Sequence, residues 1–361
     1  MALLTVNCLL TKLQRDVRRA FYMRSTIRDV AEEAGVSIAT VSMVLRGIGG
    51  RTTDDTRERV LKAAQVLKYA PVKPPTSQNR PLDTRTVTLV PEHKDLENHN
   101  LHMFTYRGVI SVARQYDYDV LTAIGDEARR FGEAERKRYL DRRSDGFIFA
   151  VSYQGVWEEA LQLLAEYKIP TVACFRSEAP AGIAAVDVDN AKAIRQAVEH
   201  LISNGHRRIA YLCGPPENFD EQVRRRAWVQ AMRENGLDAS ERFQVPGALP
   251  AHVLDSEAMA SVAELGVTAV VCFNDTQAMA LWKVLEDQGL KVPDDISLIG
   301  MDNEPFAAKQ KLTTFANSFM DVGRLAMEAW VQLKNGGEAR DCYKLAPFRF
   351  VSRASVRDLT L

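Results

Sequence analysis

The sequence predicts an N-terminal all-α helix-turn-helix headpiece, followed by an α/β core in two lobes built on doubly wound parallel sheets. Three observations carry this. Two short amphipathic helical patterns meet at Gly35, a proline-rich polar stretch follows Tyr69, and from Thr86 short β-rich runs alternate with helical stretches almost to the end of the chain.

Residues 1–22 put an apolar stretch before basic residues, the reverse of a secretory signal, and are expected to be disordered or an over-extended start. The headpiece is expected over 23–70. Thr26 is placed to cap a helix whose apolar side is Ile27, Val30, Ala31 and Ala34. Gly35 supplies the left-handed turn, Val36 packs back, and Ser37 caps a second helix that buries Val41, Val44 and Leu45. That second helix turns Ile38, Ala39, Thr40, Ser42, Met43 and Arg46 outward, side chains suited to a major groove. An ordinary helical hairpin would share much of this pattern. A third helix, capped at Thr52 or Thr53 and apolar at Val60, Leu61, Ala64 and Leu67, completes the unit. Residues 71–85, with Pro74 and Pro75, have the composition of a linker.

The core is expected over 86–361, with strands at 86–90, 119–123, 146–150, 170–174, 208–212, 269–273 and 296–300. Helices are expected at 104–116, 131–142, 156–167, 190–204, 221–235, 255–264, 275–288 and 321–335. This alternation implies parallel sheets covered on both faces, and ligands of such sheets sit at the carboxyl ends of the strands.

Composition narrows the class. A chain of 361 residues with 46% hydrophobic content can bury more than one core, yet no apolar run approaches a membrane span. Net charge is zero, but residues 1–85 hold 15 Lys/Arg against 8 Asp/Glu, a basic front suited to nucleic acid. Five cysteines at irregular spacing show neither a disulfide framework nor a zinc pattern, so the expected setting is a reducing cytoplasm, without membrane, metal or cofactor. R-G-I-G-G-R lies between helices and opens no phosphate loop. Neither G-x-S-x-G nor H-E-x-x-H occurs, so no enzyme is expected.

TIRDVAEEAGVSIATVSMVLRG, followed by TRERVLKAAQVLKYAP, resembles the lactose-repressor (LacI/GalR) family of bacterial transcription regulators. The likeness continues through VDVDNAKAIRQAVEHLISNGHRRIAYLCG and CFNDTQAMALWKVLEDQGLKVPDDISLIGMDNEP to about Ser355. It implies a core like the periplasmic sugar-binding proteins, with lobe crossovers near 187, 312 and 338. It places base-contacting positions at Ile38, Ala39 and Met43, where relatives often carry long polar side chains. The DNA-facing set is then Thr26, Ser37, Ile38, Ala39, Thr40, Ser42, Met43, Arg46 and Arg51. Family members commonly insert a leucine from a short linker helix into the minor groove. Here Pro74 and Pro75 oppose that helix, and Gln78 stands near the leucine's place.

Effector-facing positions implied by the resemblance are Arg224, Asn274 and Asp302, a donor and acceptor set for a polyol, against the alternatives of a surface ion pair for Arg224 and a turn for Asp302. His102 and Phe175 fall where relatives carry other cleft residues, and the loop 91–104 replaces a stacking aromatic pair. His93, His99 and His102 share that loop at spacings that fit solvated side chains better than a metal. The expected function is a homodimeric transcriptional repressor on a near-palindromic operator, controlled by a small polar effector such as a sugar. The alternatives are a small-molecule binding protein of the same core fold, or a DNA-binding dimer with a ligand-silent core.

Overall fold

The computed structural model describes residues 27–45, 52–67, 69, 83–92, 99–123, 131–141, 143–155, 157–247 and 265–360. Thr26, Arg46, Arg51, Pro74, Pro75, Gln78, His93, residues 1–22 and the helix expected at 255–264 lie outside the described residues. The chain divides into two compact units between Arg80 and Pro81.

In the first unit, α1 (Ile27–Ala34), α2 (Ile38–Leu45) and α3 (Asp54–Val66) enclose a small core. Val30, Val41 and Val60 are fully buried at its centre, one from each helix. Gly35 turns at φ +62°, a conformation that a Cβ would strain. Ser37 Oγ accepts from Thr40 N at 3.1 Å, and Thr53 Oγ1 from Thr56 N at 3.3 Å, which satisfies amides at the starts of α2 and α3. One expected core residue is displaced. Leu61 is 51% exposed and Ala63 takes the buried position, because Val60, Ala63 and Ala64 share the inward face of α3.

The second unit begins with β1 (Thr86–Pro91), α4 (His99–Ala113), β2 (Asp119–Thr122), α5 (Glu133–Leu140), β3 (Phe147–Ala150), α6 (Trp157–Glu166), β4 (Thr171–Cys174) and β5 (Ala184–Val188). With β11 (Lys344–Ala346) these strands form one parallel sheet in the order β11-β5-β4-β3-β1-β2. Alternation sorts its side chains. Ile148 and Ala150 face the core beneath α4 and α11 (Phe319–Lys334), whereas Phe147 and Phe149 face α5 and α6.

The chain then enters a second lobe through α7 (Asn190–Ser203), β6 (Ile209–Leu212), α8 (Phe219–Glu234), β7 (Gln244–Val245), β8 (Ala269–Cys272), α9 (Asp275–Asp287), β9 (Ser297–Ile299) and α10 (Pro305–Lys309). Its sheet runs β7-β6-β8-β9, all parallel, around a core that includes Trp228, Leu281 and Leu298. β10 (Thr314–Asn317) and β12 (Phe348–Val351) form a separate antiparallel pair. The chain leaves the second lobe along β10, packs α11 and β11 into the first lobe, and returns along β12. The third crossover therefore lies beyond Ala346 and not near 338, because Lys344–Ala346 pairs with β5 as an edge strand. The loop expected over 91–104 is also corrected, since His99 opens α4 and places His102 on a helix. Among the described residues, no helix is long and apolar enough to cross a membrane.

Candidate functional site

On α2, the outward side is as short and neutral as its sequence. Ile38 is 43% exposed, Ser37 and Ala39 are exposed, and Thr40, Ser42 and Met43 are half-buried. Ser37 and Thr40 hydroxyls lie 2.9 Å apart. The helix can present methyl groups and single hydroxyls to a groove, and no bidentate base reader among the described residues.

In the second unit the two lobes meet around Arg224. It stands in the second turn of α8, whose start is capped by Asn218 Oδ1 accepting from Glu221 N at 3.1 Å. The guanidinium is enclosed, with the residue 3% exposed. Its Nε donates to Asn190 Oδ1 at 2.8 Å and Nη1 to the Phe273 carbonyl at 2.7 Å. Nη2 lies 3.5 Å from Asp220 and 3.8 Å from Asp302. Asn190 Nδ2 donates to Asp220 at 2.9 Å and approaches Asp187 Oδ1 at 3.4 Å. Asp187 is the penultimate residue of β5 in one lobe, while Asp220 and Asp302 belong to the other, so these acids span the junction.

Burial raises the carboxyl groups of Asp187, Asp220 and Asp302 above their ordinary range. Asp220 adds to that push on Asp187, and Arg224 opposes it on Asp220 and Asp302. Burial also opposes the charge of Arg224, yet Asp220 and Asp302 outweigh it and hold the guanidinium above its usual value. Asp302 adopts φ +99°, unusual for a side chain with Cβ, and accepts from Asn317 Nδ2 at 2.8 Å. A short distance away, Gln154 N donates to Glu217 O at 2.9 Å and Phe219 N to Ser152 O at 2.8 Å, stitching one lobe to the other. Arg176 lies 4.2 Å from the Phe219 ring centre and pairs with Glu158 at 2.9 Å.

Of the expected effector residues, Arg224 and Asp302 come together, and Arg224 is an interior group instead of a surface ion pair. Asn274 sits beside the Phe273 carbonyl, but its Oδ1 caps α9 by accepting from Gln277 N at 2.8 Å. Phe175, at φ +60°, is 1% exposed and packs edge-on against Phe319 at 6.0 Å, so its ring belongs to the first lobe's core and offers no open face. His102 is not the solvated side chain expected: both ring nitrogens are buried with no hydrogen-bond partner among the described residues, and burial lowers it to about 4. Among the described residues, no group of His, Cys, Asp and Glu is placed to hold a metal. Asp187, Asn190 and Asp220 were not singled out from the sequence. The signals were present in V-D-V-D-N at a strand end and in an aspartate four residues before Arg224.

Residues 26–72 match the model described as bacterial regulatory proteins, lacI family, and residues 198–356 match a periplasmic binding protein-like domain. The transcriptional regulator GalS of Salmonella typhimurium is 31% identical over 85% of this chain and 89% of its own. The transcriptional repressor CytR of Escherichia coli is 30% identical over 93% of this chain and 97% of its own. Catabolite control protein A of Priestia megaterium is 28% identical over 93% and 100%. Among solved structures, a complex of the transcriptional regulator CelR with cellobiose matches 92% of this chain and all of that one, at 26% identity and a TM-score of 0.64. The lac repressor dimer on its operator shares the fold, at 22% identity, over 93% of this chain and all of that one, with a TM-score of 0.65.

Proposed function

The chain belongs to the lacI family of bacterial regulatory proteins, and from that footing we propose that it is a cytoplasmic transcriptional repressor that binds a near-palindromic operator as a homodimer under control of a small polar effector. The observation that carries the DNA-binding half is the exposed face of α2, led by Ile38 and Ala39, on a three-helix unit with its own core. A helix displayed this way enters a major groove, and two copies reading successive turns require a two-fold protein. The operator of the lac repressor and the cellobiose of CelR are the corresponding ligands in relatives.

The second half rests on the junction between lobes. Asp187 from one lobe and Arg224, Asn274 and Asp302 from the other lie at the carboxyl ends of parallel strands or beside them, where ligands of such sheets bind. The effector would lie between the lobes, drawing acceptors from Asp302 and its neighbours, with His102 on the first-lobe side. A ligand that prefers one lobe arrangement changes operator affinity by a coupling energy of about 1–3 kcal/mol. The test is operator selection from a random-sequence pool with the purified chain, followed by sedimentation of the complex. A two-fold symmetric enriched site bound by two chains is expected. Recovery of no preferred sequence would remove the repressor reading.

A further inference from the structure

We propose that the effector of this protein carries a positive charge, as a small polyhydroxylated amine, and is not a neutral sugar or a sugar acid. This rests on the reading of the lobe junction as the effector site and adds the class of molecule it takes.

The argument is a balance of charge and of hydrogen-bond roles. Asp187, Asp220 and Asp302 converge from two lobes with Arg224 as the one cation paired to Asp220 or Asp302 among the described residues. No described cation lies within ion-pair distance of Asp187, which is 2% exposed. A fourth acid, Asp275, is fully buried close behind, held by Thr314 Oγ1 at 2.6 Å and Glu304 N at 2.8 Å, but burial raises it to about 8, so it keeps its proton at neutral pH and stays outside this charge count. Buried carboxylates in such excess call for a compensating positive charge or for protons.

Arg224 is not available to a ligand as a counter-charge. Asn190, the Phe273 carbonyl, Asp220 and Asp302 already surround its guanidinium. An anionic effector would therefore add charge of the wrong sign to a site that has no cation to spare.

A second, independent observation comes from the floor of the second lobe. Gln277, 2% exposed, keeps its side-chain oxygen without a partner among the described residues. It lies in the first turn of α9 after β8, and Gly247 after β7 approaches it so closely that an added Cβ would fall 2.6 Å from its Nε2. The unpaired group here is again an acceptor, at the carboxyl ends of β6, β7 and β8. Carboxylates and a spare carbonyl together call for a ligand rich in donors. An ammonium brings three donors and the missing charge, whereas a hydroxyl brings one donor and none.

The test uses the full chain and matched probes. Thermal shift and calorimetry compare D-glucosamine, D-galactosamine and 1-deoxynojirimycin with glucose and galactose, and with gluconate as the anion. The amines are expected to bind about tenfold more tightly than their neutral parents, the ratio separating charged from neutral hydrogen bonds. Asp187→Asn should erase that margin while leaving the melting temperature of the free protein within a few degrees. Asp220→Asn is the second variant should the first fail to fold. A neutral sugar or gluconate binding as well as the amines would overturn the charge assignment and leave the effector site standing. No stabilisation by any probe would remove both.

Discussion

Asn317 donates its side-chain amide to Asp302 at 2.8 Å, tying the strand on which the chain leaves the second lobe to an acid at the junction between the lobes. Asp302 is thereby held at φ +99°, with its amide donating to Phe315 O at 2.9 Å. Next to it, Asn303 Oδ1 accepts from Arg353 Nη2 just beyond β12 at 2.5 Å. β10 and the segment that follows β12 are thus bonded to the two-residue turn that carries Asp302. A ligand that engages Asp302 competes directly for a contact made by β10. Asn317→Ala should leave operator affinity of the free protein within about threefold but weaken its response to effector, since the coupling contact is gone. Titrating operator binding against effector in both proteins measures this, and an unchanged response would show that coupling runs elsewhere.

The same turn constrains Gly300. An added Cβ there would fall 2.2 Å from Asp275 Oδ1 and 2.9 Å from Leu312 Cδ2, in an interior with no room to yield. Gly300→Ala should cost about 1–3 kcal/mol, read as a drop in the urea midpoint at constant slope. Retained stability would mean that Asp275 moves aside freely, against its two hydrogen bonds.

Much of this was readable in the sequence, for identifiable reasons. Ile27, Val30, Ala31 and Ala34 repeat at helical spacing, and the helix they predict is there with the last three buried. The central strands, with runs such as FIFA and AVVC, were found because both faces are buried and the apolar signal is continuous. The edges β2 and β9 were legible too, whereas β5, β7, β11 and the crossing pair β10 and β12 were not. Lys344–Ala346 is short and exposes Leu345, and Thr314–Asn317 pairs only with Phe348–Val351, distant in sequence. Asp187 was hidden for a related reason. A carboxylate within AAVDV reads as a strand end, and only the three-dimensional pairing of β5 with β4 and β11 buries it.

Stability should fall as pH rises between about 4 and 8 through Asp275. Burial first, and then Asp302, raise this carboxyl from 3.8 to about 8. The unfolded chain releases the proton near its ordinary value, so the group's contribution is complete below about pH 4 and is lost as pH rises through about 8. Asp275→Asn, which can still accept from Glu304 N, should flatten the decline over that window. Parallel slopes for the two proteins in urea titrations across pH would exclude Asp275 as its source.

The acid side should be limited by His102. Burial lowers it from 6.5 to about 4, so the native state keeps a neutral ring where the unfolded chain is already protonated. Its contribution is intact above about pH 6.5 and is lost as pH falls toward about 4. The loss is on the order of 3 kcal/mol, and His102→Leu should remove this limb while keeping the apolar volume. If melting temperatures of both proteins fall together between those pH values, the ring is hydrated or partnered in solution.

On DNA, the two kinds of side chain near α2 should separate cleanly. Ile38 is 43% exposed at the start of the helix, carries no charge, and can contact only apolar base edges such as a thymine methyl. Arg46 follows directly after the helix in sequence and offers a positive charge to phosphate. Ile38→Ala should therefore weaken the selected operator by about 1–2 kcal/mol, leave non-specific DNA almost unaffected, and keep the salt slope. Arg46→Ala should weaken both kinds of DNA alike and reduce the salt slope by about one. Titrations of both variants at several salt concentrations, on operator and on random duplex, check the pair together. A loss of salt slope in Ile38→Ala would mean that the helix docks differently and that its exposed face is not the reading face.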